Sequence, residues 1–151
     1  MHIFSTMDFI NVNVFRAKMK GFFDEADSGK DVTISRSKGR FYKLVPYSAD
    51  SLVMDGLRRL AMHTPNSTKV ILFGSRARGN ASSSSDWDLL VLTSEERSED
   101  LFDRLCYPFV RFGWDVGAEI NPILYTDTEW EKRRLTDLYR NIEKEGIVLC
   151  Q

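Results

Sequence analysis

Lys69-Val70-Ile71-Leu72-Phe73-Gly74-Ser75-Arg76-Ala77-Arg78-Gly79, and then, past the serine run at 82–85, Asp86-Trp87-Asp88-Leu89-Leu90-Val91-Leu92, are the two stretches that decide the fold. Each holds a short apolar run of strand length, bounded by turn residues, which predicts two buried strands. Gly74 leaves the first strand. A glycine there lets the backbone approach a phosphate closely. The residues after it read as a turn opening a short helix, whose free N–H groups point at such an anion. The Ser75 hydroxyl adds a donor, and Arg76 and Arg78 add positive charge.

Asp86 and Asp88 stand two apart at the start of the second strand, so both side chains emerge on one face. Two carboxylates held close repel unless a cation lies between them. Hard oxygen ligands of this kind suit Mg²⁺, which completes its shell with water and substrate phosphates. Trp87, Leu89 and Val91 point to the opposite face and are expected in the core. A lone Asp-x-Asp or a lone Gly-Ser reads as a solvated turn. The two together at strand ends, with a basic turn between, are far more specific.

Working outward, the chain splits near 46–51. On the C-terminal side an amphipathic helix carries Leu52, Leu57, Leu60 and Ala61 on or near one face and ends at Thr64-Pro65-Asn66. After the central strands come a helix from Glu95 to about Phe112, bent at Pro108, and a strand from Gly117 to Tyr125. A last helix from Asp127 to Lys144 follows, with Gly146 as its stop. On the N-terminal side, Ser5 or Thr6 caps a helix with Asp8 near its start. Phe9, Val12, Phe15, Ala17, Met19, Phe22 and Phe23 carry that helix to Ala26, with Phe15, Phe22 and Phe23 as core or dimer interface. Asp31–Ser35 and Phe41–Val45 then form a β-hairpin around Ser37-Lys38-Gly39. The expected class is α+β or α/β: a small helix-plus-hairpin module over 1–48, then an α/β domain with a short mixed sheet over 49–151.

Composition narrows the function classes. The 151 residues are 42% hydrophobic and 28% charged with a net charge of −1, so bulk charge does not make this a polyanion binder. Cys106, Cys150, His2 and His63 form no ligand cluster, which argues against zinc. Charges interrupt every apolar run, so no membrane span is expected. Few cysteines and no signal-like start point to the cytoplasm.

The Gly74-Ser75 and Asp86-x-Asp88 pattern resembles the minimal nucleotidyltransferases of the DNA polymerase β superfamily over roughly 51–151. The resemblance implies that Asp86 and Asp88 hold metal and that Gly74 and Ser75 contact the triphosphate of ATP or another nucleoside triphosphate. A third carboxylate from a later strand is implied too. Glu119 is the best match, as metal ligand or proton acceptor, with Asp115 the alternative. The small size resembles the nucleotidyltransferase antitoxins paired with HEPN-domain toxins, which implies AMP transfer from ATP to a tyrosine of the partner toxin. A non-catalytic antitoxin and DNA-binding autorepressor on a degenerate transferase scaffold is the other reading.

Residues 5–46 resemble the Phd/YefM-like antitoxin fold, in Ser5-Thr6-Met7-Asp8-Phe9, Val32-Thr33-Ile34-Ser35-Arg36-Ser37-Lys38-Gly39-Arg40 and Leu44-Val45-Pro46. That implies homodimerisation and operator DNA binding. Arg36, Lys38, Arg40 and Lys43 lie in one hairpin with no acidic residue between Ser35 and Val45, a patch suited to DNA phosphates. A helix and a hairpin alone bury too little to be stable, so a partner surface is expected.

Overall fold

The computed structural model describes residues 9–150. The chain falls into two compact units that divide between Ser48 and Ala49.

The first unit runs β1 (Phe9–Asn11), α1 (Val12–Ala17), α2 (Met19–Asp27), β2 (Val32–Arg36) and β3 (Arg40–Leu44). The expected caps Ser5 and Thr6, with Asp8, lie outside the described residues. Phe9 is not helical: β1 pairs parallel with β2, Phe9 opposite Thr33 and Asn11 opposite Ser35. Asn11 is the N-cap of α1, its side chain accepting from the Asn13 N–H at 2.9 Å. The single expected helix breaks at Lys18, which closes α1 and opens α2. Pairing with a strand twenty residues away overrode the local apolar pattern. The hairpin is present, with Lys38 and Gly39 both in the left-handed region at φ 70° and 67°. Among its described residues this unit buries Ala26 and Val32, and leaves Phe9, Val14, Phe23, Phe41, Tyr42 and Val45 exposed.

The second unit opens with α3 (Ala49–Ala61), β4 (Thr68–Phe73), α4 (Gly74–Arg78) and β5 (Trp87–Thr93). It continues with α5 (Leu101–Leu105), α6 (Tyr107–Val116), β6 (Ile120–Thr126), α7 (Asp127–Glu131), α8 (Asp137–Glu145) and β7 (Ile147–Cys150). Its mixed sheet has the order β6-β5-β4-β7. Strand β4 is antiparallel to both β5 and β7, and β5 is parallel to β6. One face packs Val53, Leu57 and Ala61 of α3 and Phe109 of α6 on Val70, Leu72, Trp87 and Leu89. The other packs Trp130 and Ile142 on Ile71, Leu90 and Leu92. The central strands are therefore buried on both sides, which is why they read as unbroken apolar runs.

Four expectations in this unit are corrected. Val53, not Leu52, faces the core from α3, and Leu52 is exposed. The helix expected from Glu95 is two short ones beginning at Leu101. The second starts at Tyr107 because Pro108, lacking an N–H, is tolerated only in a first turn. Strand β6 begins at Ile120 rather than Gly117, since Gly117 ends α6 in the left-handed region at φ 69°. The last helix is interrupted after Glu131 and restarts behind a second cap, Thr136, whose hydroxyl accepts from the Tyr139 N–H at 3.2 Å.

β6 is one edge of this sheet. The Leu124 carbonyl accepts from Arg97 Nη2 at 3.2 Å, and the Thr126 N–H donates to Glu129 Oε2 at 2.9 Å.

Candidate active site

The site forms where β4 ends and β5 begins. Because these strands are antiparallel, Phe73 lies opposite Asp88, and the turn at Gly74 stands directly over the carboxylate. Gly74 has φ 75°, and a Cβ on it would collide with Asp88 Oδ2. Glycine is thus required twice, by backbone conformation and by close approach. Ser75 follows, half-buried, its carbonyl accepting from the Asn80 N–H at 3.2 Å.

Asp88 sits inside β5, and Asp86 just before it. Both are half-buried. Burial pushes the Asp88 carboxyl above the usual carboxylate range, the Asp86 charge adds to this, and Arg78 works against it. Arg78 is 43% exposed, and its ion pair with Glu145 is long, at 3.6 Å. Its charge is therefore available to a bound anion near Asp88.

Arg76, expected beside the phosphates, is engaged elsewhere. Its side chain is 5% exposed and pairs with Asp50 at 2.7 Å. Its Nε and Nη2 both donate to the Ser85 carbonyl, at 3.1 and 2.9 Å. Its guanidinium lies over the Trp87 ring, 4.5 Å from the centroid. It lines a cavity of about 280 Å³ together with Asp50, Ser83, Ser85, Trp87 and Glu119.

Among the described residues no group of three or more His, Cys, Asp or Glu converges on a common point. Glu119 is exposed, and its backbone carbonyl accepts from the Trp87 N–H at 2.8 Å. Asp115 is exposed on α6. The residue brought to the pair is Asn121, opposite Asp88 in the parallel register, its amide donating to Asp86 Oδ2 at 3.2 Å. Asn121 carries no charge, so its residue type alone gives no sign of this contact. The β5–β6 register points to it directly.

In the first unit, Arg36 and Arg40 are exposed and directly opposite each other in the hairpin, with Lys38 at its tip. Lys43 is paired with Asp31. Like charges facing across a hairpin are unfavourable without an anion between them.

A glycine turn over an Asp-x-Asp strand is the arrangement of a nucleotidyl-transferring fold, and the chain belongs to the nucleotidyltransferase domain family, which it matches over residues 55–149. It is 32% identical over 81 residues to the Methanocaldococcus jannaschii protein named "Putative protein adenylyltransferase MJ0604", a match covering 54% of this chain and 76% of that protein. Two solved structures show a partial likeness. One is a toxin-antitoxin complex with AMP-PNP, with TM-score 0.46, 15% identity, and coverage of 64% of this chain and 72% of that one. The other is a "putative nucleotidyltransferase from Sulfolobus solfataricus", with TM-score 0.38, 23% identity, and coverage of 68% and 87%. The family match begins within α3, so the first unit lies outside it.

Proposed function

We propose that this chain transfers AMP from ATP to a hydroxyl on a partner protein, a tyrosine of a HEPN-type toxin, and thereby acts as an antitoxin. The observation that carries the reading is the seat of Asp88 under Gly74, with Asp86 beside it and Arg78 within electrostatic reach. The family supports nucleotidyl transfer, and the relative's name supports protein as acceptor.

Mg²⁺ fits this donor set. Two crowded carboxylates, one of them destabilised by burial and by its neighbour's charge, gain from a hard dication. Asp86 and Asp88 would hold it, and when bound it supplies charge neutralisation at the α-phosphate and leaving pyrophosphate. The chain's own groups do the rest. The Gly74-Ser75 turn seats the triphosphate, Arg78 offsets its charge, and Asn121 fixes the Asp86 carboxylate. The first unit, read as a Phd/YefM-like module, supplies a homodimer interface and a DNA-contacting hairpin at Arg36, Lys38 and Arg40.

The lack of a three-carboxylate cluster among the described residues favours a second reading, an antitoxin that binds nucleotide without transferring it. One experiment separates the two. The purified protein is incubated with Mg²⁺ and ATP and with the product of an adjacent HEPN-type gene, and the partner is weighed by mass spectrometry. Gain of one AMP on a tyrosine, abolished by Asp86→Asn with Asp88→Asn, supports transfer. Mg²⁺-dependent ATP binding without any mass gain supports the second reading. No binding in the wild type sinks both.

A further inference from the structure

We propose that Arg76 is a positioning residue for Asp86, holding the backbone just before it and the Trp87 ring just after it. The inference rests on the nucleotidyltransferase reading of the site. Asp86 precedes β5 and lacks the support of the strand ladder. The segment leading to it, Ser82 to Ser85, is held internally by serine contacts. Ser85 Oγ accepts from the Ser82 N–H at 2.9 Å and lies 3.1 Å from Ser82 Oγ. These contacts are exposed to solvent and compete with water. No large apolar side chain in the run anchors it to the core.

Arg76 supplies the anchor. Two of its N–H groups converge on the carbonyl of Ser85, the residue before Asp86. A third contact reaches Ser83 O at 3.5 Å. Its guanidinium stacks on Trp87, the residue after Asp86. Asp50, in the first turn of α3, takes the remaining strong contact and balances the charge. Charge-assisted bonds from a guanidinium that is almost wholly buried are stronger and more directional than exposed hydroxyl pairs. Only arginine offers a planar fork for the carbonyl together with a face for the indole, so lysine is not equivalent. A guanidinium so committed is not free to serve as a phosphate ligand, which leaves that part to Arg78.

The test compares wild type with Arg76→Ala, Arg76→Lys and Asp50→Asn, and with Arg78→Ala as the phosphate-ligand control. The first readout is hydrogen exchange in the protein free of metal and nucleotide. Arg76→Ala should speed exchange of amides in 82–87 about tenfold or more and leave 89–92 unchanged. The second is Mg²⁺ titration with a non-hydrolysable ATP analogue, where Arg76→Ala should raise the half-saturating Mg²⁺ concentration about 10- to 100-fold. Nucleotide affinity in chelator should change less than about threefold in Arg76→Ala and fall further in Arg78→Ala. Arg76→Lys should recover the Asp50 pair and only part of the exchange protection. Equal exchange at 82–87 in wild type and Arg76→Ala overturns the proposal. So does a loss of metal-free nucleotide affinity equal to that of Arg78→Ala. If Arg76→Ala does not fold, Arg76→Lys and Asp50→Asn carry the same comparison. A wild type that binds no nucleotide overturns the function proposed above, while exchange still decides whether Arg76 orders the loop.

Discussion

Gly74 gives the sharpest residue-scale prediction. At φ 75° an alanine is strained, and its Cβ would meet Asp88 Oδ2 unless that carboxylate moved. Gly74→Ala should cost about 1–3 kcal/mol from backbone conformation alone, read from urea unfolding. It should also displace the Asp88 carboxylate and abolish Mg²⁺-dependent nucleotide binding by calorimetry. Wild-type affinity in the variant would show that the close approach is not needed. At this scale Gly74, Asp86 and Asp88 were legible because their chemistry is written in residue type and spacing. Asn121 and the buried role of Arg76 were not. Asn121 depends on the parallel register between β5 and β6, and Arg76 on a loop that folds back onto its guanidinium. Neither pairing leaves a local mark in the sequence.

Among the elements, α7 has the most explicit start signal. The Thr126 hydroxyl accepts from the Glu129 N–H at 3.3 Å, and Glu129 accepts from the Thr126 N–H, a reciprocal capping box. Thr126→Ala should lower stability by about 1 kcal/mol in chemical denaturation. Glu129 has a pH signature. The Thr126 backbone N–H holds its carboxyl below the usual range, and Arg97 adds to this. A depressed folded-state pKa contributes stability above the unfolded-state value, and that contribution disappears as pH falls through the folded one. Glu129→Ala should therefore be less stable than wild type at neutral pH, with the gap closing as the solution is acidified into that range. A gap that is constant with pH would refute the assignment. The central strands and α3 were legible from their apolar runs and spacing. The bend near Pro108 was legible from the proline, whereas the breaks at Lys18 and 132–136 were not, because neither holds a glycine or proline to mark it.

For the molecule as a whole, the two units differ in how well each covers its apolar side chains. The second packs both faces of its sheet. The first leaves Phe9, Phe41, Tyr42 and Val45 in the open, with the Phe9 and Phe41 rings 4.8 Å apart. A chain starting at Ala49 should keep Mg²⁺-dependent nucleotide binding. It should lose self-association by light scattering and binding to its own upstream DNA by gel shift. A full-length chain that is monomeric at high concentration would remove the dimer from the reading, and retained DNA binding by the short chain would remove the hairpin. The division near residue 48 was legible as a change in pattern, whereas what each unit exposes required tertiary packing to see. The edge strand β6 has a consequence for the behaviour of concentrated or slowly refolding protein. Leu124 turns its carbonyl outward to Arg97, and Thr126 turns its N–H to Glu129. Pro122, in step with both, has no N–H to offer on that side. An incoming strand from another molecule would find this row of docking groups interrupted at 122, 124 and 126, which makes β6 a less regular template for fibrillar growth than an open edge.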